Sequence, residues 1–316
     1  MNLQENVIAI DVGGTGIKGA RYERSGTAQA LSQVETPTGA EAIVAAIVEV
    51  ARRLQTEETV ALGLVVPGVV DVAAGIARRA ANLGWEDLEL RALLSAELAL
   101  PVVLEHDVAA ATLAESLCSK EDLLFVAIGT GIAAGHVVNG EVWRGATGQA
   151  GELGHICVVP SGEPCGCGQR GCLEVYASAT GIARRYVAAG GAIGLSSAEI
   201  AQRLNADPIA AQVWGEAVEA LATALASDVQ IFDPACIVIG GGLAEAGDLL
   251  FDPLRAGVAR RLCWRSAPEV RPAALGVESG RYGAAQLAWR LVDEQRSDPA
   301  EQLAAQQSAD QLAEQR

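Results

Sequence analysis

The strongest constraint in this chain is a repeat. Gly14-Thr15-Gly16-Ile17 recurs as Gly129-Thr130-Gly131-Ile132, and each copy lies between two strand-like runs. Val7-Ile8-Ala9-Ile10 leads into the first copy and Leu123–Ile128 into the second. Residues 17–22 and 133–138 resume strand patterning behind them. Two halves built on one plan would produce this pattern; a common glycine-rich hairpin used twice would produce it too. A third strand-to-glycine junction follows at Ile237-Val238-Ile239-Gly240-Gly241-Gly242. A length of 316 residues allows two domains of ordinary size, and 50% apolar residues suit a substantial core.

Glycine turns at strand ends bring bare backbone N–H groups close to a ligand, and such groups suit phosphate oxygens. Three of them suggest a nucleotide. Gly14–Gly19 spells G-x-G-x-x-G, and residues 129–134 spell its G-x-G-x-x-A variant. A dinucleotide site needs a helix that starts at the turn, whereas residues 19–26 are too short and broken for one and read as the return strand of a hairpin. The Walker pattern is absent. Hairpin cradles with an acid at the first strand end fit a machine in which two domains clamp a triphosphate and its Mg²⁺. Asp11 is placed to orient such a metal; the plainer alternative is a strand-end Asp capping its turn.

The remaining patterning places a third strand at residues 28–35 and a helix at 39–54, with Ile43, Ile47 and Val50 on one face. A buried strand follows at 60–66, a helix at 88–98, a strand at 102–104 and a helix at 108–117. Ala-rich stretches at 177–189 and 197–227 read as helices. The Gln-rich stretch 293–316 reads as a terminal helix or as disorder.

Charge and cysteine usage narrow the function classes. There are 23 basic and 39 acidic residues, a net charge of −16. Nucleic acid and anionic membrane surfaces call for the opposite sign. The longest apolar runs fall well short of a membrane span, and the first residues carry no signal-peptide features. Seven cysteines cannot all pair within one chain. The expectation is a cytoplasmic protein with reduced thiols.

Three cysteines fall within eight residues, Cys165-Gly166-Cys167-Gly168-Gln169-Arg170-Gly171-Cys172, with His155 ten residues upstream of the first. Three Cys and one His make a closed tetrahedral zinc set of the structural kind. The alternatives are a local disulfide with one spare thiol, or unrelated buried cysteines. Cys118, Cys157, Cys236 and Cys263 are scattered and read as packing residues. Glu152, before the metal His, and Glu174, after the last Cys, could grip hydroxyls of a polar substrate, or be ordinary surface charge.

Glu105-His106-Asp107 ends one predicted strand and begins a helix, where ligands meet the sheet in α/β folds. Asp107 could take a proton from a substrate hydroxyl; it could equally be the helix N-cap. His106 is a second base, a substrate contact or a buried filler. His136 suggests no role.

Taken in order, Asp11-Val12-Gly13-Gly14-Thr15, Gly129-Thr130-Gly131, Gly151-Glu152-Leu153-Gly154-His155, the Cys165–Glu174 run and Ile239-Gly240-Gly241-Gly242 resemble the ROK family (repressors, open reading frames, kinases), and most of all its bacterial glucokinases. The resemblance runs from about Val7 to Leu291. It implies an actin-like ATPase fold of two α/β domains with an interdomain cleft, here 1–115 and 116–292, followed by the 293–316 tail. It implies transfer of the ATP γ-phosphoryl to a hexose 6-hydroxyl with Mg²⁺, glucose first and N-acetylglucosamine or N-acetylmannosamine as alternatives, with polyphosphate a conceivable donor. Asp107 would be the base. Asn82, His106, Glu152, His155 and Glu174 would contact sugar. His155, Cys165, Cys167 and Cys172 would hold zinc. Asp11, Gly13, Gly14, Thr15, Gly129, Thr130 and Gly131 would serve the phosphates and their metal, and Gly241 would lie near adenosine. A homodimer or homotetramer is implied. Relatives usually read Glu-Asn-Asp where this chain has His106, and an imidazole offers a different donor and acceptor set. The family's sugar-responsive regulators carry an N-terminal DNA-binding segment; only six residues precede the first strand here.

Overall fold

The computed structural model describes residues 5–80 and 83–297. These form two compact units, one of residues 5–107 with 281–297 and the other of residues 108–280.

The first unit opens with β1 (Asn6–Val12), β2 (Gly16–Glu23) and β3 (Ala28–Glu35), an antiparallel meander, followed by α1 (Ala40–Leu54) and β4 (Thr59–Val66). A small antiparallel sheet comes next: β5 (Val69–Asp71), β6 (Ile76–Ala80) and β7 (Trp85–Leu88). Then follow α2 (Leu90–Leu98) and β8 (Val102–His106). The main sheet has the order β3-β2-β1-β4-β8, with β4 and β8 parallel to β1. β1 and β4 read as continuous apolar runs because both of their faces are buried. α1 lays Ile43, Ile47, Val50 and Leu54 into the core against Ile8, Ile10 and Leu64.

The second unit opens with α3 (Asp107–Ser119), then β9 (Leu123–Ile128), β10 (Ile132–Val138) and β11 (Glu141–Trp143). Helices α4 (Leu173–Ala177), α5 (Ala179–Ala188), α6 (Ser197–Ala201) and α7 (Pro208–Phe232) follow. The chain then forms β12 (Cys236–Gly240), α8 (Asp248–Arg261) and β13 (Glu269–Pro272), and the last described element is α9 (Ser279–Arg296). The sheet order is β11-β10-β9-β12-β13, antiparallel through the first three strands and parallel thereafter. Rank by rank this is the first unit's main sheet again, so the repeat seen in sequence marks one plan used twice.

Two boundaries differ from the expected division. The change of unit falls at Asp107, not at 115. Buried Glu115 ties α3 to its own unit by accepting hydrogen bonds from Ala274 N (2.9 Å), Leu275 N (3.0 Å) and Ser279 Oγ (2.8 Å). From Arg281 onward α9 belongs to the first unit. Gly63 of β4 lies so close to α9 that a Cβ would stand 2.0 Å from Ala284 O, and Arg24 pairs with Asp293 at 2.8 Å.

The helix expected over 197–227 is two helices. Ser196 and Glu199 form a capping box that starts α6, and Asp207 caps α7 with Pro208 in its first turn. The Asp-Pro signal was present in sequence. Of the 293–316 stretch, residues 293–296 continue α9; 298–316 lie outside the described residues. Among the described residues no helix is long and apolar enough to cross a membrane.

Candidate active site

In the first unit, β1, β4 and β8 end together. Asp11 pairs with Val65, and Val65 with Glu105, so Asp11 and Glu105 lie at the same level of the sheet. Asp107 follows at the start of α3. Burial first, then the like charge of Asp107, pushes the Asp11 carboxyl up to about 6; Lys18 and Arg281 oppose this more weakly. His106 Nδ1 stands 3.3 Å from Asp107 Oδ1, both side chains about one-third exposed. Buried Glu105 accepts the His106 N–H at 3.0 Å. Asn82 lies outside the described residues.

Each glycine hairpin is closed by a backbone hydrogen bond of its own, the first turn having four residues and the second three. Gly13 N donates to Gly16 O, and Gly129 N to Gly131 O, each at 2.9 Å. A threonine hydroxyl from another segment holds each turn: Thr36 Oγ1 donates to Gly13 O at 2.7 Å and Thr180 Oγ1 to Thr130 O at 2.6 Å. Among the described residues, no hydrogen bond takes the N–H groups of Gly14, Thr15, Thr130 or Gly131. Gly14, Thr15 and Thr130 are exposed. Each turn therefore offers paired donors outward, the arrangement a phosphate requires. Thr36 and Thr180 were not singled out in sequence; a hydroxyl just past a strand end or helix start was their only signal. The third turn joins the second hairpin: at Gly241 φ is +81°, and a Cβ would meet Ile128 O at 2.4 Å.

The Gly151–His155 segment is pressed onto β10. Gly151 (φ +102°) would place a Cβ 2.0 Å from Ala134 O, while Ala134 N donates to Gly151 O at 2.7 Å. A Cβ on Gly154 would stand 2.3 Å from Ile132 O. Only glycine allows this approach, and it holds Glu152 exposed on one side of the turn and His155 beside the cysteines on the other.

The ligand atoms of His155, Cys165, Cys167 and Cys172 all lie within 4.8 Å of one another. Cys167 and Cys172 Sγ are 3.7 Å apart, as are Cys165 Sγ and His155 Nδ1. A tetrahedral zinc with Zn–S near 2.3 Å has edges of about 3.8 Å, whereas a disulfide needs about 2.05 Å. Burial and the neighbouring thiols push Cys172 up to about 12, while the Gln169 backbone N–H lowers Cys167. A divalent cation reverses the first effect, so the donor set fits the metal. With Nδ1 on the thiol side, His155 Nε2 faces Glu152 Oε2 at 3.9 Å.

Two expectations are corrected. Cys118, Cys157 and Cys263 are exposed, so among the four remaining cysteines only Cys236 is a buried packing residue. His136 has a structural place: it is buried, with Nε2 2.8 Å from Asp228 Oδ2 and its ring 4.1 Å from that of Phe232. Glu174, expected at the sugar, accepts the Ile132 N–H through Oε2 at 2.9 Å.

Duplicated sheets of this topology, each opening on a hairpin that offers backbone donors, are those of the actin-like ATPase fold, and the relatives of this chain make it an ATP-dependent sugar kinase. The chain belongs to the ROK family, which it matches over residues 7–290. It is 32% identical to a glucokinase of Streptomyces coelicolor over 89% of this chain and 96% of the relative. It is 33% identical to an N-acetyl-D-glucosamine kinase of Pasteurella multocida, over 88% and 97%. A ROK family glucokinase from Streptomyces griseus, solved with glucose and AMPPNP, is similar at TM-score 0.79 and 31% identity, covering 90% of this chain and 99% of that one.

Proposed function

We propose that the chain transfers the γ-phosphoryl of ATP to the 6-hydroxyl of a hexose, with glucose the first candidate. Asp107 takes the O6 proton as the O6–P bond forms and the bond from the γ-phosphorus to the bridging oxygen breaks, with ADP leaving. Its place at the start of α3, at the same sheet edge as Asp11, carries this reading. Asp11, and the N–H groups of Gly14, Thr15, Thr130 and Gly131, hold the metal and phosphates. Mg²⁺, when bound, neutralises phosphate charge. Gly241, beside Ile128, serves the adenosine end. Glu152 and His155 Nε2 take sugar hydroxyls, with His155 Nδ1, Cys165, Cys167 and Cys172 on zinc, which supplies rigidity and no chemistry. Asn82 completes the sugar contacts.

The test is ADP release over a panel of hexoses with and without Mg²⁺. Mg²⁺-dependent turnover on glucose is expected, and no turnover on any hexose would sink the reading.

A second reading is an N-acetylglucosamine kinase, favoured by the resemblance to the Pasteurella enzyme, and His106, beside the base, is placed to bear on the choice of sugar. His106→Asn is expected to shift the ratio of kcat/KM between glucose and N-acetylglucosamine. An unchanged ratio removes His106 from sugar selection.

A further inference from the structure

We propose that Glu174 is a positioning residue for the nucleotide, acting through the second glycine hairpin, and not a sugar contact alone. The inference rests on the kinase reading above.

Glu174 sits in the first turn of α4, two residues past the last cysteine of the metal cluster. Its Oε2 accepts the backbone N–H of Ile132 at 2.9 Å. A Cβ on Gly131 would come within 2.6 Å of the same oxygen, so the carboxylate is packed against the hairpin itself. The next residues grip the turn twice more: Ala179 N donates to Gly129 O at 2.8 Å and Thr180 Oγ1 to Thr130 O at 2.6 Å. Residues 174–180 thus occupy two carbonyls and one N–H of the hairpin. The N–H groups of Thr130 and Gly131 are the donors left to point outward. A short glycine turn has many backbone conformations, and this clamp selects one.

The carboxylate's charge works against a phosphate nearby, while its acceptor oxygen holds the turn that binds that phosphate. The two effects separate by substitution. Glu174→Gln keeps an acceptor and drops the charge; Glu174→Ala drops both. A residue that touched only sugar would leave nucleotide affinity in the absence of sugar untouched in either variant.

The experiment is titration calorimetry of the full chain with Mg·ADP and no sugar. Glu174→Ala is expected to weaken binding about tenfold or more, the usual effect of removing a charged hydrogen-bond partner. Glu174→Gln is expected to bind at least as tightly as wild type. Ala and Gln variants both at wild-type affinity, or both equally weakened, overturn the proposal. If the Ala variant does not fold, Thr180→Val carries the test by removing the hydroxyl bond to Thr130 O, together with a 3.2 Å contact to Ser178 Oγ. Weaker Mg·ADP binding then supports the clamp, and wild-type affinity overturns it. Wild-type protein that binds no Mg·ADP would instead fail the kinase reading.

Discussion

Asp107, the proposed base, and Asp11, proposed to face the metal, share one sheet edge, and each role can be tested alone. Asp107→Asn keeps the shape but loses the proton acceptor, so kcat is expected to fall about 100-fold or more. Sugar binding, followed by tryptophan fluorescence, should be retained; a near-wild-type rate would remove Asp107 as base. Asp11 is pushed up from its ordinary 3.8 to about 6, so the native state binds its proton more tightly than the unfolded chain does. Its stabilising contribution is complete below pH 3.8 and is lost as pH rises through about 6. Without metal, the ionised group costs on the order of 3 kcal/mol at neutral pH. Asp11→Asn should therefore raise the melting temperature of EDTA-treated protein near pH 7.5, with the gain shrinking toward pH 5. A gain independent of pH would contradict the burial argument. Asp11 was visible in sequence as an acid at a strand end. Its perturbation was not, because it arises first from burial in the fold and then from Asp107, which is remote in sequence and near in space.

At the scale of elements, the Gly151–His155 turn is placed by backbone contact and not by side-chain packing. Gly151→Ala is expected to cost about 2 kcal/mol, since a Cβ at φ +102° meets Ala134 O. Urea unfolding measures this, and the metal content should fall with it because His155 moves; an unchanged midpoint would show that β10 can retreat. The strands and hairpins were readable because β1, β4, β9 and β12 are short apolar runs closed by glycine. The small sheet β5–β7 was not, because its strands of three to five residues carry Arg78, Arg79, Glu86 and Asp87 and have little apolar patterning. In the 197–227 stretch, Ala-rich composition favours one continuous helix. Local capping decided the break there.

For the molecule as a whole, the His155, Cys165, Cys167 and Cys172 group lies in a segment that a bound ion would hold together. Residues 155–172 contain little regular structure, and Cys167 is exposed. Purified protein is expected to carry about one zinc per chain by elemental analysis. Chelation should lower the melting temperature, and Cys167→Ser should lose the metal. A protein that melts unchanged after chelation would show that the loop holds itself.

The amino-acid order by itself determined the two strand–glycine–strand halves, the cysteine and histidine set, and the family, because these depend on residue types at short spacing. The tertiary structure alone decided that α9 returns to the first unit, that Asp11 and Asp107 share one sheet edge, that His136 pairs with Asp228, and that Glu174 grips Ile132. Each of these joins residues from tens to hundreds of positions apart, or a side chain to one particular backbone N–H. Such contacts are chosen by which surfaces must be buried together, and sequence spacing does not encode them.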